Sequence, residues 1–259
     1  MPEAYRSIIK LARQAHPGGR VSVQRIGSLV NDVFLVEADN EKFVAKQYTN
    51  WLSLKWLTLS IYGIGSVNFS ISGRKRMEAE LAVNRILADE GVKVRRVVAL
   101  DSASRVILFN YVPGDEFSRL MRKVSRGQDS DTRERHASFT IGETIAKTHS
   151  LDLSLGDTRP DNFIVDRKGE STLLDLEQAR HGGDPAWDIA EFLYFSGHYW
   201  LSYNKTLAEI TDEFVNGYLN QKGAKAILRY AASTRYLRLF SIWTPPFVLT
   251  GIRRRLLKA

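Results

Sequence analysis

The stretch that most constrains this chain is Leu155-Gly-Asp-Thr-Arg-Pro-Asp-Asn-Phe-Ile-Val165, followed after a short turn by Thr172-Leu-Leu-Asp-Leu-Glu-Gln178. A polar loop carries an Asp and an Asn five positions apart and runs into Phe163-Ile-Val165, a short apolar run of β type. Asp166-Arg-Lys-Gly169 has the turn residues of a hairpin, and Leu173-Leu174 is the returning run, ending in Asp175. The pattern predicts that Asp157, Asn162 and Asp175 gather at the ends of two paired strands. Phosphoryl transfer requires such a set: an Asn and an Asp to hold a metal on nucleotide phosphates, and a carboxylate to orient the attacking hydroxyl.

From Val21 onward the hydrophobic period is two. Val21 and Val23 lead to Ile26-Gly-Ser28, Val33-Phe-Leu-Val36 follows, Asp39-Asn40 turns the chain, and Lys42-Phe-Val-Ala-Lys-Gln47 is a third strand. Gly27-Ser-Leu-Val-Asn31 lies between the first two strands, where a glycine lets backbone N–H groups approach a phosphate. Lys46 shares a strand face with Val44. An ammonium on a half-buried face needs an anion, because an unpaired buried charge is costly. A helix is predicted over 74–90, with Met77, Leu81, Ile86 and Leu87 on its apolar face and Gly91 as its stop. Glu80 and Glu78 on that helix are the candidate carboxylates to fix Lys46. Two further strands over 94–112 end in Ile107-Leu-Phe-Asn-Tyr-Val-Pro-Gly114.

Gly-Asp-x-x-x-x-Asn followed by Leu-Leu-Asp-x-Glu resembles the catalytic centre of the protein-kinase-like superfamily. The likeness covers about residues 21–195. It is nearest to the small atypical branches, the RIO kinases and the KEOPS-complex kinase, with features of the aminoglycoside/choline phosphotransferases. The resemblance implies an α+β, two-lobed protein-kinase-like fold with a small β-rich N-lobe and a helical C-lobe. It also implies that ATP binds between the lobes with Mg2+ or Mn2+. On it, Asp157 is the catalytic Asp, and Asn162 and Asp175 hold the metal. Lys46 holds the α- and β-phosphates and Glu80 positions Lys46. Gly27, Ser28 and Asn31 close over the phosphates, and backbone groups from Asn110 to Val112 meet the adenine. Asp188 would bond the backbone of the catalytic loop, and His149 would pack that loop. The sequence departs from the usual pattern at Leu155, where a His is customary, and at Leu176-Glu177, where protein kinases have Phe-Gly. About a dozen residues separate Asp175 from Asp188, too few for a long activation loop.

The expected domains are a leading helix over 1–20, an N-lobe over 21–113 carrying an aromatic insert at 48–73, and a C-lobe over 114–259. The C-lobe would begin near Pro113 with a helix inside 115–130. Further helices follow at about 131–149, 186–194, 206–219 and 225–242. The chain of 259 residues has no cysteine, which excludes disulfides and thiolate metal sites. Its net charge of +8 favours polyanionic partners: nucleotide phosphates, nucleic acid or an anionic membrane surface. The insert is too broken by Lys55, Gly63 and Gly65 to span a bilayer. Trp51, Trp56 and Tyr62 suit either a membrane interface, through 51–71, or packing on protein. The basic tail 247–258 either joins that surface or stays solvated. No apolar leader is evident, so the expectation is a cytoplasmic protein, peripheral at the membrane if these segments bind lipid. The resemblance leaves the acceptor open. An atypical serine/threonine protein kinase acting on a hydroxyl is the first reading, a small-molecule or lipid-headgroup kinase the second, and a membrane-associated pseudokinase scaffold the third.

Overall fold

The alternating apolar residues after Val21 form an antiparallel five-stranded sheet in the order β1-β2-β3-β5-β4. Its strands are β1 (Val21–Gly27), β2 (Asp32–Ala38), β3 (Glu41–Gln47), β4 (Val97–Asp101) and β5 (Val106–Asn110). The computed structural model describes residues 3–18, 20–27, 31–49, 72–128 and 132–259. The sheet has two different faces because side chains alternate across each strand. Phe34, Val36, Phe43, Ala45, Val106 and Leu108 form one face, covered by Ile8, Leu11 and Ala12 of helix α1 (Glu3–Ala15). On the other face, Ile107 and Phe109 pack with Tyr48 against Met77 and Leu81 of helix α2 (Gly73–Asp89). Lys46 pairs in register with Ile107, so its side chain lies on the α2 side. Leu35 and Val44, paired with each other on that same side, are only half-buried.

The C-terminal region is mainly helical. Its elements are β6 (Asp115–Glu116), α3 (Phe117–Ser125), α4 (Thr132–Ser150), β7 (Leu153–Ser154), β8 (Phe163–Val165), β9 (Ser171–Leu173), β10 (Arg180–His181), α5 (Pro185–Gly197), α6 (Lys205–Asn220), α7 (Lys225–Ala231), α8 (Thr234–Phe240) and α9 (Pro246–Lys258). Phe192 of α5 centres the core, with ring centroids 5.3 Å from Phe117, 5.6 Å from Phe163 and 5.0 Å from Phe214. Helices α4 and α6 approach closely because glycine leaves room: a Cβ on Gly217 would lie 2.0 Å from the Phe139 carbonyl oxygen. Asp184 caps α5 by accepting from Ala186 N and Trp187 N, and Pro185 stands in the first turn, where its missing N–H is no loss. The loop after α2 ties the two regions together, since Val94 bridges Leu173 and Leu173 N donates to the Lys93 carbonyl at 2.9 Å.

The result is an α+β fold with an N-terminal region of mixed strands and helices and a more helical C-terminal region. Two local expectations change. The helix predicted over 225–242 is two helices, because Ser233 has extended backbone (ψ 156°) between them. The basic tail is not wholly solvated: α9 buries Val248, Leu249, Ile252 and Leu256 in the core, leaving Phe247 and Leu257 exposed. The segment 51–71 lies outside the described residues. Among those described, no helix is long and apolar enough to cross a membrane.

Candidate active site

Strand β3 carries Lys46 under α2, where its ammonium meets three carboxylates: Glu80 at 2.8 Å, Asp175 at 2.8 Å and Glu177 at 3.0 Å. Burial alone pulls the pKa of a lysine down, but the charges of Asp175, Glu177 and Glu80 outweigh it here and hold Lys46 firmly protonated. Two arginines complete the balance. Arg76, fully buried, reaches Glu177 at 2.9 Å and donates to Asn31 Oδ1 at 2.8 Å and to the Thr49 carbonyl. Arg95 lies 3.4 Å from Glu80, donates twice to the Leu174 carbonyl, and stacks over the Phe109 ring at 4.3 Å. Tyr48 donates to Glu80 at 2.6 Å, and Asn31 Nδ2 to Glu177 at 2.5 Å. Three cations thus face three carboxylates in a largely enclosed cluster, each with hydrogen-bond partners, which is the condition for burying charge.

Asp175 lies two residues beyond the end of β9, so the β8–β9 hairpin delivers it to Lys46. Burial pushes its carboxyl up, but the Lys46 charge and hydrogen bond outweigh this and hold it below the usual carboxylate range. Its Oδ1 accepts from Lys46 and from Glu177 N at 3.1 Å, while Oδ2 takes no bond from the described residues. Side-chain exposure of 23% leaves Asp175 open to a ligand, whereas Glu80 and Glu177 are enclosed. Glu80, Asp175 and Glu177 have carboxylate oxygens within 4.8 Å of one another, close enough to hold a metal ion. Lys46 Nζ bonds all three.

Asp157 sits in the loop after β7. Gly156 before it has φ +74°, and a Cβ there would lie 2.9 Å from the Gln178 carbonyl oxygen, so the turn requires glycine. Arg159 grips both Asp157 oxygens, at 2.8 and 3.1 Å. Asp188 accepts from Leu155 N at 2.7 Å and Gly156 N at 2.8 Å, and from His149 Nε2 at 3.0 Å. His149 uses its other nitrogen on the Tyr218 hydroxyl at 3.0 Å, so both ring nitrogens have partners within the fold. Asn162 ends the 3-10 turn Pro160–Asn162 and donates to the Asp157 carbonyl at 3.0 Å.

The structure therefore joins Asn31, Lys46, Glu80 and Asp175 in one cluster, and Asp157 and Asn162 in the adjoining loop. Glu80, not Glu78, pairs with Lys46; Glu78 pairs with Arg74 at 2.9 Å on the surface. Asn31 bonds protein side chains, and Gly27 ends β1. Ser28 lies outside the described residues. Asn110 N donates to the Arg96 carbonyl and Tyr111 N to the Lys42 carbonyl, so of these three N–H groups only that of Val112 lacks a bond among the described residues. Asn110 and Val112 line a groove of about 1020 Å³ together with Leu81, Arg85 and Arg96. Sequence reading missed Arg76, Arg95 and Tyr48. Arg76 reads as part of a surface run, Arg74-Lys-Arg76. Its helical offset from Glu80, one turn away on the inward face, was the available signal.

No protein-family model matches the chain. Among solved structures, the chain is similar to the bifunctional kinase-methyltransferase WbdD at 13% identity and a TM-score of 0.47, covering 83% of this chain and 51% of that one. A second WbdD structure, with the kinase inhibitor LY294002, matches at 14% identity and a TM-score of 0.47, covering 78% and 48%. The chain spans about half the length of these structures.

Proposed function

We propose that this chain is a metal-ATP-dependent phosphotransferase with a two-lobed, kinase-like arrangement, its lobes dividing near Pro113. The observation that carries the reading is Lys46, held at 2.8 Å from both Glu80 and Asp175 beneath a half-open sheet face. The residues fit metal-ATP. Leu35 and Val44 leave apolar surface beside a protonated lysine, and Asp175 keeps one oxygen free in a partly open position. Asn162 and Asp175 supply the hard oxygens that Mg2+ or Mn2+ takes. Bound metal-ATP supplies the transferable γ-phosphoryl group and neutralises its charge. Lys46 would hold phosphate oxygens, and the N–H of Val112 would meet the adenine. Asp157 orients the acceptor hydroxyl, with Arg159 fixing its carboxylate.

The acceptor is a hydroxyl, on a protein serine or threonine or on a small molecule. One observation favours the small molecule. Asn31 of Gly27-x-x-x-Asn31 and Glu177 of Asp175-x-Glu177, the two short motifs here that resemble the aminoglycoside/choline phosphotransferases, bond each other at 2.5 Å. The test is transfer of labelled γ-phosphate from Mg-ATP or Mn-ATP to a fractionated extract, with Asp157→Asn and Asp175→Ala as controls. Label in small molecules, lost in both variants, is the expected result, and label on protein moves the acceptor to serine or threonine. Transfer that survives Asp175→Ala, or absence of transfer and hydrolysis with both metals, overturns the assignment.

A further inference from the structure

Helix α5 reaches the Asp157 loop with three side chains. Trp187 Nε1 donates to the Gly156 carbonyl at 3.1 Å, Asp188 takes the N–H groups of Leu155 and Gly156, and Glu191 Oε2 accepts from Thr158 N at 2.6 Å. The third contact bears on Asp157 directly. The peptide plane joining Asp157 to Thr158 is gripped at both ends, its carbonyl by Asn162 Nδ2 at 3.0 Å and its N–H by Glu191. A peptide unit is rigid, and the preceding plane is held at the Gly156 carbonyl by Trp187, so fixing this second plane fixes φ and ψ of Asp157 and hence the direction of its Cα–Cβ bond. We propose that Glu191 is a positioning residue for Asp157, locking the plane that aims its carboxylate at the acceptor hydroxyl; this rests on the phosphotransferase reading.

Proton accounting supports a neutral Glu191. The Thr158 hydroxyl has one proton, and it lies 2.7 Å from the Asp188 carbonyl oxygen and 3.1 Å from Glu191 Oε2. The carbonyl can only accept, so the hydroxyl donates there and the carboxyl proton serves the second contact. Burial, and then the charge of Asp157, push the Glu191 carboxyl well up in pKa, in the same direction. Glutamine, neutral and of the same shape, keeps an oxygen to accept from Thr158 N–H and gives up only the longer contact to the hydroxyl, whereas alanine leaves Thr158 N–H buried without an acceptor.

The test compares Glu191→Ala and Glu191→Gln in steady-state transfer or ATP hydrolysis with Mg-ATP or Mn-ATP, and follows exchange of the Thr158 amide. Alanine should lower kcat by about 10–100-fold with KM for ATP changed less than about twofold, since aim is lost and nucleotide binding is not. Glutamine should restore most of kcat. Exchange of the Thr158 amide should quicken by about tenfold or more in the alanine variant alone. Where alanine does not fold, Glu191→Asp, which withdraws the carboxyl by one methylene, takes its place with the same expectations. Wild-type kcat in the alanine variant, kcat and KM changing together, or glutamine as slow as alanine overturns the proposal. A wild-type protein without turnover overturns the phosphotransferase reading instead; unchanged Thr158 exchange in the variant then overturns the grip of Glu191 as well.

Discussion

Replacing Arg76 with methionine removes one of three cations that balance three carboxylates, two of them, Glu80 and Glu177, buried. Arg76 is fully enclosed, bonds Glu177 at 2.9 Å and Asn31 at 2.8 Å, and reaches the Thr49 carbonyl. Methionine fills much of the volume, so the loss is chiefly electrostatic: Glu177 keeps Lys46 and Asn31 but the cluster carries an excess negative charge out of contact with water. Breaking a buried pair on one side costs about 3–5 kcal/mol. A domain of this size shifts its Tm by about 2–4 °C per kcal/mol, so the melting point should fall by roughly 6–20 °C. Thermal unfolding followed by circular dichroism measures it. The reasoning makes a sharper demand on the double variant Arg76→Met/Glu177→Gln, which restores neutrality with Lys46 and Arg95 facing Glu80 and Asp175. It should be more stable than the sum of the single losses by at least about 1 kcal/mol, a coupling expected only of residues in one network. A drop below about 1 kcal/mol for Arg76→Met, or strictly additive losses, would refute the account of the cluster as a balanced unit.

Three further outcomes follow from the packing and the loop contacts. Gly217→Ala places a Cβ 2.0 Å from the Phe139 carbonyl oxygen and should destabilise the α4–α6 contact by about 1–3 kcal/mol, read in urea unfolding. Asp188→Asn replaces an oxygen that accepts from the loop with an amide that donates, and should lose about 1–3 kcal/mol with a fall in kcat, checked by denaturation and steady-state rates. Glu191 has its folded pKa raised, so its contribution to stability is complete below the unfolded value of about 4.3 and declines as pH rises from there toward the folded value. The melting point of Glu191→Gln relative to wild type should therefore rise between pH 4 and pH 8; a flat or falling difference contradicts a neutral Glu191.

Much of the architecture is legible in the sequence because it is local. The two-residue period after Val21 marks the strands, the helical period over 74–90 marks α2, and the turn Asp166-Arg-Lys-Gly169 marks the β8–β9 hairpin that delivers Asp175. The presence of a buried lysine at position 46 is also readable, because its strand neighbours fix which way it points. The partners of the buried charges are not. Asn31 and Glu177 lie 146 positions apart, Arg76 and Glu177 101, and Arg95 and Leu174 79. Arg76 differs from the exposed Arg74 two residues earlier only in lying one helical turn from the inward-facing Glu80, and Glu191 reads as an ordinary polar residue on an apolar helix. Residue type and local period determine which elements form and which face each side chain takes. Only the tertiary structure decides whether a charge on that face meets water, an opposite charge or a backbone amide, because that depends on which distant element packs there and shuts the solvent out.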